Sequence, residues 1–284
     1  MKPKLVTVTG HRTNTLRHQL NHYKDKVSDA FIVVYENADS PKNLADEIKE
    51  ITKEFGLGIH SVKTHRPFDW CEVTNQYNIT KNLFPDDWWI VADDDELQVY
   101  WKDIEDIIAE CEENNWKYVS GGFVDRIGAT GNFPEIEKDS NLWKLFPVAG
   151  FFRYPMSGAC PNKVTLCKGN IELTSGQHYI RENNKNIYGP TGWNHPWRYP
   201  IRQNFVQVHH FKWDSTVLDR LIAIAKVNKD YSYSHEYKRM YEMIAKSGFK
   251  ININDTNFFC QFSPEPNYED YKFWRKLTNI ILHI

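Results

Sequence analysis

The sequence has no cysteine pair at CxxC spacing, no apolar run long enough to span a bilayer, and no large surplus of one charge. It also has no internal repeat or low-complexity tract. Each absence excludes something. The five cysteines, Cys71, Cys111, Cys160, Cys167 and Cys260, are odd in number and unclustered. That argues against a disulfide framework or a zinc site and for a reducing compartment. A formal net charge of −2 over 284 residues provides no global basic field, so nucleic acid is not expected as a partner. The first residues, Met1-Lys2-Pro3-Lys4-Leu5-Val6, lack a signal-peptide apolar region. The expectation is a soluble, cytoplasmic protein without a transmembrane segment.

Aromatics, by contrast, are abundant at 14 %. They suit sugar rings and bases, although large core side chains are the commoner use. Chain length allows one large α/β domain or two smaller ones.

Apolar and polar stretches alternate in a regular order through the first hundred residues. Leu5 to Thr9 reads as a strand broken by Gly10-His11-Arg12-Thr13, with Thr13 or Asn14 capping a helix to about Val27. Phe31 to Tyr35 is a second strand, and Ser40-Pro41 opens a helix that stops at Gly56. Gly58 to Lys63 is a third strand, followed by Thr64-His65-Arg66-Pro67. Asp69 caps the next helix, with Glu72 three residues on as in a capping box. The order β-α-β-α-β-α-β predicts a doubly wound, mostly parallel sheet with flanking helices. Lys102 to Glu113 reads as a further helix and Lys117 to Val124 as a strand. From Asp125 to about Pro200 the pattern is irregular and β-rich, with short pieces such as Lys163 to Cys167. Phe205 to Phe211 is a late strand, and helices follow from Asp214 or Ser215 and from about His235 to Lys246. The last stretch, Tyr268 to Ile284, is amphipathic; packing on the domain is favoured over peripheral contact with a membrane surface.

The fourth strand, Trp88-Trp89-Ile90-Val91-Ala92, leads directly into Asp93-Asp94-Asp95-Glu96. An apolar strand buried on both faces belongs in a parallel sheet, and its carboxyl end is where open α/β sheets bind ligands. Four adjacent carboxylates repel one another, so an ordered turn there favours a cation. A solvated loop or the first turn of a helix would place such residues more blandly.

Asp93-x-Asp95 after several β-α units resembles the DxD motif of GT-A fold glycosyltransferases, and Asp93-Asp94-Asp95-Glu96-Leu97 is similar to the DxDE form of family-2-like enzymes. Gly10 to Thr13, Glu36-Asn37, Gly122-Phe123-Val124-Asp125-Arg126 and Val208-His209-His210-Phe211-Lys212-Trp213 resemble further parts of that pattern. The resemblance implies a catalytic domain over 1–225, with a nucleotide-binding half (1–100) and an acceptor half (101–225), followed by a helical extension over 226–284. It implies a nucleotide-sugar donor, with a UDP-sugar as the first to expect, a glycan acceptor, and Mn²⁺ or Mg²⁺ to offset the charge of the leaving diphosphate. Polysaccharide biosynthesis is the process it suggests. Asp95 would ligate the metal, and Asp93 would contact the ribose or a metal-bound water, with Asp94 and Glu96 structural. One of His209 and His210 would add a nitrogen to the metal or a donor to the diphosphate.

On the nucleotide, the resemblance points to Thr9, His11 and Arg12, with Glu36 on base or ribose, Arg66 in the turn after the third strand, and Lys212 as a phosphate clamp. An inverting transfer, the preferred stereochemistry, needs a base, for which Asp125 is the first choice and Glu172 and Asp139 are fallbacks. The Glu-Asp pair that opens a helix in better-known family-2 enzymes has no clear equivalent here. Trp143, Trp193, Trp197 and His178 are weaker candidates for the acceptor side. Two alternatives stay open: a non-catalytic carbohydrate-binding protein on the same fold, and a sugar-1-phosphate nucleotidyltransferase. The second should carry a Gly-rich basic loop after the first strand, which Gly10-His11-Arg12-Thr13 does not provide.

Overall fold

The computed structural model describes residues 1–10, 12–37, 40–158, 162–182, 185–187, 206–227 and 232–262. His11, Trp193, Trp197 and the amphipathic stretch 268–284 lie outside the described residues. The chain forms two compact units.

The first unit holds the described residues of Met1–Phe123 and Pro161–Val208. Its order is β1 (Lys4–Thr9), α1 (Leu16–Tyr23), β2 (Asp29–Glu36), α2 (Leu44–Lys53), β3 (Ile59–Thr64), α3 (Trp70–Lys81) and β4 (Trp88–Val91). These strands form a parallel core in the order β4-β1-β2-β3. Then come β5 (Glu96–Val99), α4 (Ile104–Glu113) and β6 (Tyr118–Ile127), which gives its first residues to this unit. Antiparallel β8 (Asn162–Lys168) lies between β4 and β6. A small sheet of β9 (Glu172–Leu173), β10 (Ile180–Glu182) and β11 (Lys185–Ile187) follows. The expected α/β fold, with its doubly wound sheet, is what the structure has.

Alternation along the strands divides the core. Leu5, Ile32, Val34, Trp88 and Ile90 pack with Leu16, Leu20, Leu44, Ile48, Ile104 and Ile107 from α1, α2 and α4. On the other face, Phe31 and Trp89 meet edge-on at 5.0 Å, and both lie against Phe84 just after α3. Burying each Leu or Ile here contributes about 1.5–3 kcal/mol. Asp69 caps α3 as its sequence predicts, its carboxylate accepting the Cys71 N–H at 2.8 Å.

Two predicted caps are used otherwise. The Thr13 hydroxyl donates to Glu47 in α2 at 3.3 Å, and α1 begins only at Leu16. The Ser40 hydroxyl accepts the Asn37 N–H at 2.9 Å and donates to the Gly10 carbonyl at 3.1 Å, while α2 starts at Leu44. Those two bonds tie the loop after β1 to the loop after β2. A Cβ on Gly10 would stand 2.6 Å from the Tyr35 carbonyl oxygen, so only glycine allows this approach.

The second unit holds Val124–Cys160 and His209–Asn267 as far as they are described. The last residues of β6 pair antiparallel with β7 (Val148–Phe152), and β7 pairs with β13 (Phe259–Phe262). The short α5 (Leu142–Leu145) precedes β7. The strand β12 (Val206–His210) ends in this unit and leads towards α6 (Val217–Val227) and α7 (Ser232–Lys246). Its core joins Ile127, Phe152, Trp213, Val217, Leu221, Met240, Ile244 and Phe259. Gly131 holds a positive φ of 77°, and a Cβ there would strike the Ile251 carbonyl. Among the described residues no helix is long and apolar enough to cross a membrane.

Candidate functional site

In the parallel core Val6 pairs with Val91, Thr9 with Val34 and Glu36 with Thr64, so the carboxyl ends of β1, β2, β3 and β4 form one edge. The acidic run sits there. Asp93 to Glu96 form a tight turn closed by the Glu96 N–H on the Asp93 carbonyl at 2.9 Å. The Glu96 side chain accepts the Asp93 N–H at 3.1 Å. Glu96 itself opens β5, where the sequence pattern predicts only a turn, and it is wholly buried.

Each carboxylate has its own fastening. Asp93 Oδ1 accepts from the Tyr77 hydroxyl at 2.7 Å and from Gln177 Nε2 at 3.4 Å. Asp93 Oδ2 pairs with Lys163 Nζ at 2.9 Å, and the same ammonium lies 2.8 Å from Glu96 Oε1. Asp94 accepts from the Thr9 hydroxyl at 2.6 Å, and Asp95 forms an ion pair with Arg12. The Tyr77 hydroxyl also accepts the Val8 N–H at 3.1 Å, which ties α3 to β1 and to the turn at once.

Electrostatics follow from this packing. Burial works against the Lys163 charge, but Asp93 and Glu96 outweigh it and raise its pKa above the ordinary lysine value. Burial, and then the Asp93 carboxylate, hold Tyr77 well above the usual phenol range. Asp94 is pushed up to about 7, first by burial and then by the charge of Asp95, while Arg12 and Thr9 pull it down. His178 is lowered to about 4 by burial and by the charge of Lys163.

Of the residues expected at the nucleotide end, Thr9 and Arg12 meet the acidic turn directly. Glu36 stands at the end of β2, 3.4 Å from the Thr64 hydroxyl, and Arg66 is exposed in the following loop. Lys163, Tyr77 and Gln177 belong to the cluster but were not singled out by sequence. Lys163 alone left a trace, as the lysine that opens the predicted strand Lys163 to Cys167.

The second unit contains Asp125, His209, His210 and Lys212. Asp125 is buried within β6. Its Oδ1 accepts from Trp213 Nε1 at 3.0 Å and from His210 Nδ1 at 3.1 Å. His209 is buried edge-on against Trp143 at 4.8 Å. Lys212 lies 4.5 Å from the Tyr237 ring centre and 3.3 Å from its hydroxyl. Of the fallback bases, Glu172 pairs with Arg181 at 2.8 Å and Asp139 is exposed. Among the described residues no group of three or more His, Cys, Asp or Glu is placed to hold a metal.

No protein-family model matches the chain, and no curated protein matches it by sequence. Among solved structures, the chain is similar to a candidate glucose-1-phosphate thymidylyltransferase from Bacillus anthracis in complex with sucrose. Identity is 10 %, with 99 % of this chain and 96 % of that one covered, at a TM-score of 0.30. It is also similar to S. aureus TarS 1-349, at 11 % identity, 90 % and 73 % coverage and a TM-score of 0.33. Likeness of this degree carries no argument about function.

Proposed function

We propose that the protein is a glycosyltransferase that moves a sugar from a nucleotide-sugar donor to a glycan hydroxyl with the help of Mn²⁺ or Mg²⁺. The observation that supports this is the acidic turn at the carboxyl end of β4, set against Thr9 and Arg12 from the end of β1. Mg²⁺ in nucleotide sites is held by one or two carboxylates plus substrate phosphates, so a three-ligand protein cage is not required. Asp95 and Asp93 would hold the ion, and a partly buried turn in which Asp94 is raised to about 7 is compatible with an added positive charge. The ion would supply Lewis-acid stabilisation of the departing diphosphate.

The protein's own groups have separate tasks. Thr9 and Arg12 would serve the ribose and diphosphate, and Glu36 the base or ribose. Tyr77 and Lys163 hold Asp93 in one orientation, which limits reorganisation as the donor binds. Asp125 is the base that takes the acceptor proton, and inversion is the preferred outcome. A nucleotide-sugar panel, read out as released nucleoside diphosphate, tests the proposal. Release that needs a divalent ion supports it, and silence from every donor argues for a non-catalytic carbohydrate-binding protein.

A further inference from the structure

Asp125 accepts both of its side-chain hydrogen bonds among the described residues on one oxygen. Trp213 Nε1 reaches Oδ1 at 3.0 Å and His210 Nδ1 reaches the same atom at 3.1 Å. Trp213 is 1 % exposed and packed among Phe152 and Phe133, so the direction of its N–H is set by the core. An ionised carboxylate only accepts, so His210 donates from Nδ1, and its proton is assigned there. Two fixed donors on Oδ1 orient the plane of the carboxylate and leave Oδ2 as the atom for chemistry.

We infer that His210 is a positioning residue for Asp125 rather than a ligand of a metal ion, with Trp213 as the second donor that holds the carboxylate. The inference rests on the glycosyltransferase reading given above. In that reaction the acceptor oxygen forms its bond to the anomeric carbon while the bond from that carbon to the diphosphate breaks. The bonding pair leaves with the diphosphate, and the acceptor's proton passes to Asp125 Oδ2. A carboxylate free to rotate would meet that proton less often, because proton transfer depends on geometry before basicity.

The experiment compares wild type with His210→Ala, His210→Asn and His210→Gln. Each is assayed for turnover with the best donor of the panel and titrated with UDP in the presence of Mn²⁺. The asparagine amide can take the place of Nδ1, whereas the glutamine amide reaches from the place of Nε2. His210→Ala and His210→Gln are expected to lose about 100-fold in kcat with the donor KM unchanged. His210→Asn should recover much of that loss, and all variants should keep Mn²⁺-dependent UDP binding. Wild-type kcat in His210→Ala would overturn the inference, as would loss of Mn²⁺-dependent UDP binding in that variant. Asparagine and glutamine variants that behave alike would overturn it even if the alanine variant fails to fold. A wild-type protein inactive with every donor would instead bring down the transferase reading itself.

Discussion

Lys163 Nζ lies 2.9 Å from Asp93 Oδ2 and 2.8 Å from Glu96 Oε1, buried beneath the acidic turn. A lysine from β8 thus holds together two carboxylates that flank the turn some seventy residues earlier in the chain. Replacing Lys163 with Met keeps the aliphatic volume but removes the cation that both carboxylates share. The expected loss is about 3–5 kcal/mol of unfolding free energy, measured by urea denaturation. A loss below about 1 kcal/mol would show that the pair contributes little.

Tyr77 offers a milder perturbation. Its hydroxyl serves the Val8 N–H, Asp93 Oδ1 and the Ala92 carbonyl, so Tyr77→Phe removes all three contacts without leaving a large hole. A cost of about 1–3 kcal/mol is expected, because the Val8 N–H is left buried and unpaired. Donor KM should rise more than kcat falls, since the hydroxyl orients a binding carboxylate. The reverse pattern in steady-state kinetics would place Tyr77 nearer the chemistry.

Much of the first unit was legible in its sequence. The strands Leu5–Thr9, Phe31–Tyr35 and Trp88–Ala92 are apolar runs, and Asp69 with Glu72 marks a helix start that the structure uses. Where the sequence misled, a side chain had a tertiary partner that local rules do not see. Thr13 and Ser40 look like caps, but their hydroxyls bind Glu47 and Gly10. Glu96 was read as the end of the acidic run, yet it opens the strand Glu96-Leu97-Gln98-Val99, its charge matched by Lys163. The sixth strand was expected to end at Val124, just before Asp125, but β6 continues to Ile127. The partners of the acidic turn, Tyr77 and Lys163, lie too far along the chain for spacing to suggest them.

Histidine burial sets a pH dependence. His178 is lowered to about 4 by burial and by Lys163, with Nδ1 held 2.8 Å from the Asn162 carbonyl. Between pH 4 and 6.5 the unfolded chain therefore binds a proton at this residue that the folded protein refuses. This contribution to stability is present above pH 6.5 and is lost as pH falls towards 4. The free-energy difference between wild type and His178→Asn isolates it from the carboxylates. That difference should shrink by about 1–3 kcal/mol from pH 7 to pH 4.5. A difference independent of pH would mean that His178 is not buried as a neutral ring.

Asp125→Asn tests the base. It keeps the oxygen that Trp213 and His210 address but cannot take a proton. Turnover should fall about 10²–10⁴-fold with donor KM retained, as expected for a group that acts only in the transition state. Undiminished turnover would put the base elsewhere.

The central claim, that the turn from Asp93 to Glu96 binds a divalent cation together with a nucleotide, is tested most directly by calorimetry. UDP is titrated into wild type and into Asp95→Ala, with and without Mn²⁺. The account predicts UDP binding that strengthens with Mn²⁺ in wild type and loses that dependence in Asp95→Ala. Binding indifferent to Mn²⁺ in wild type, or an equal Mn²⁺ effect in both proteins, would contradict it.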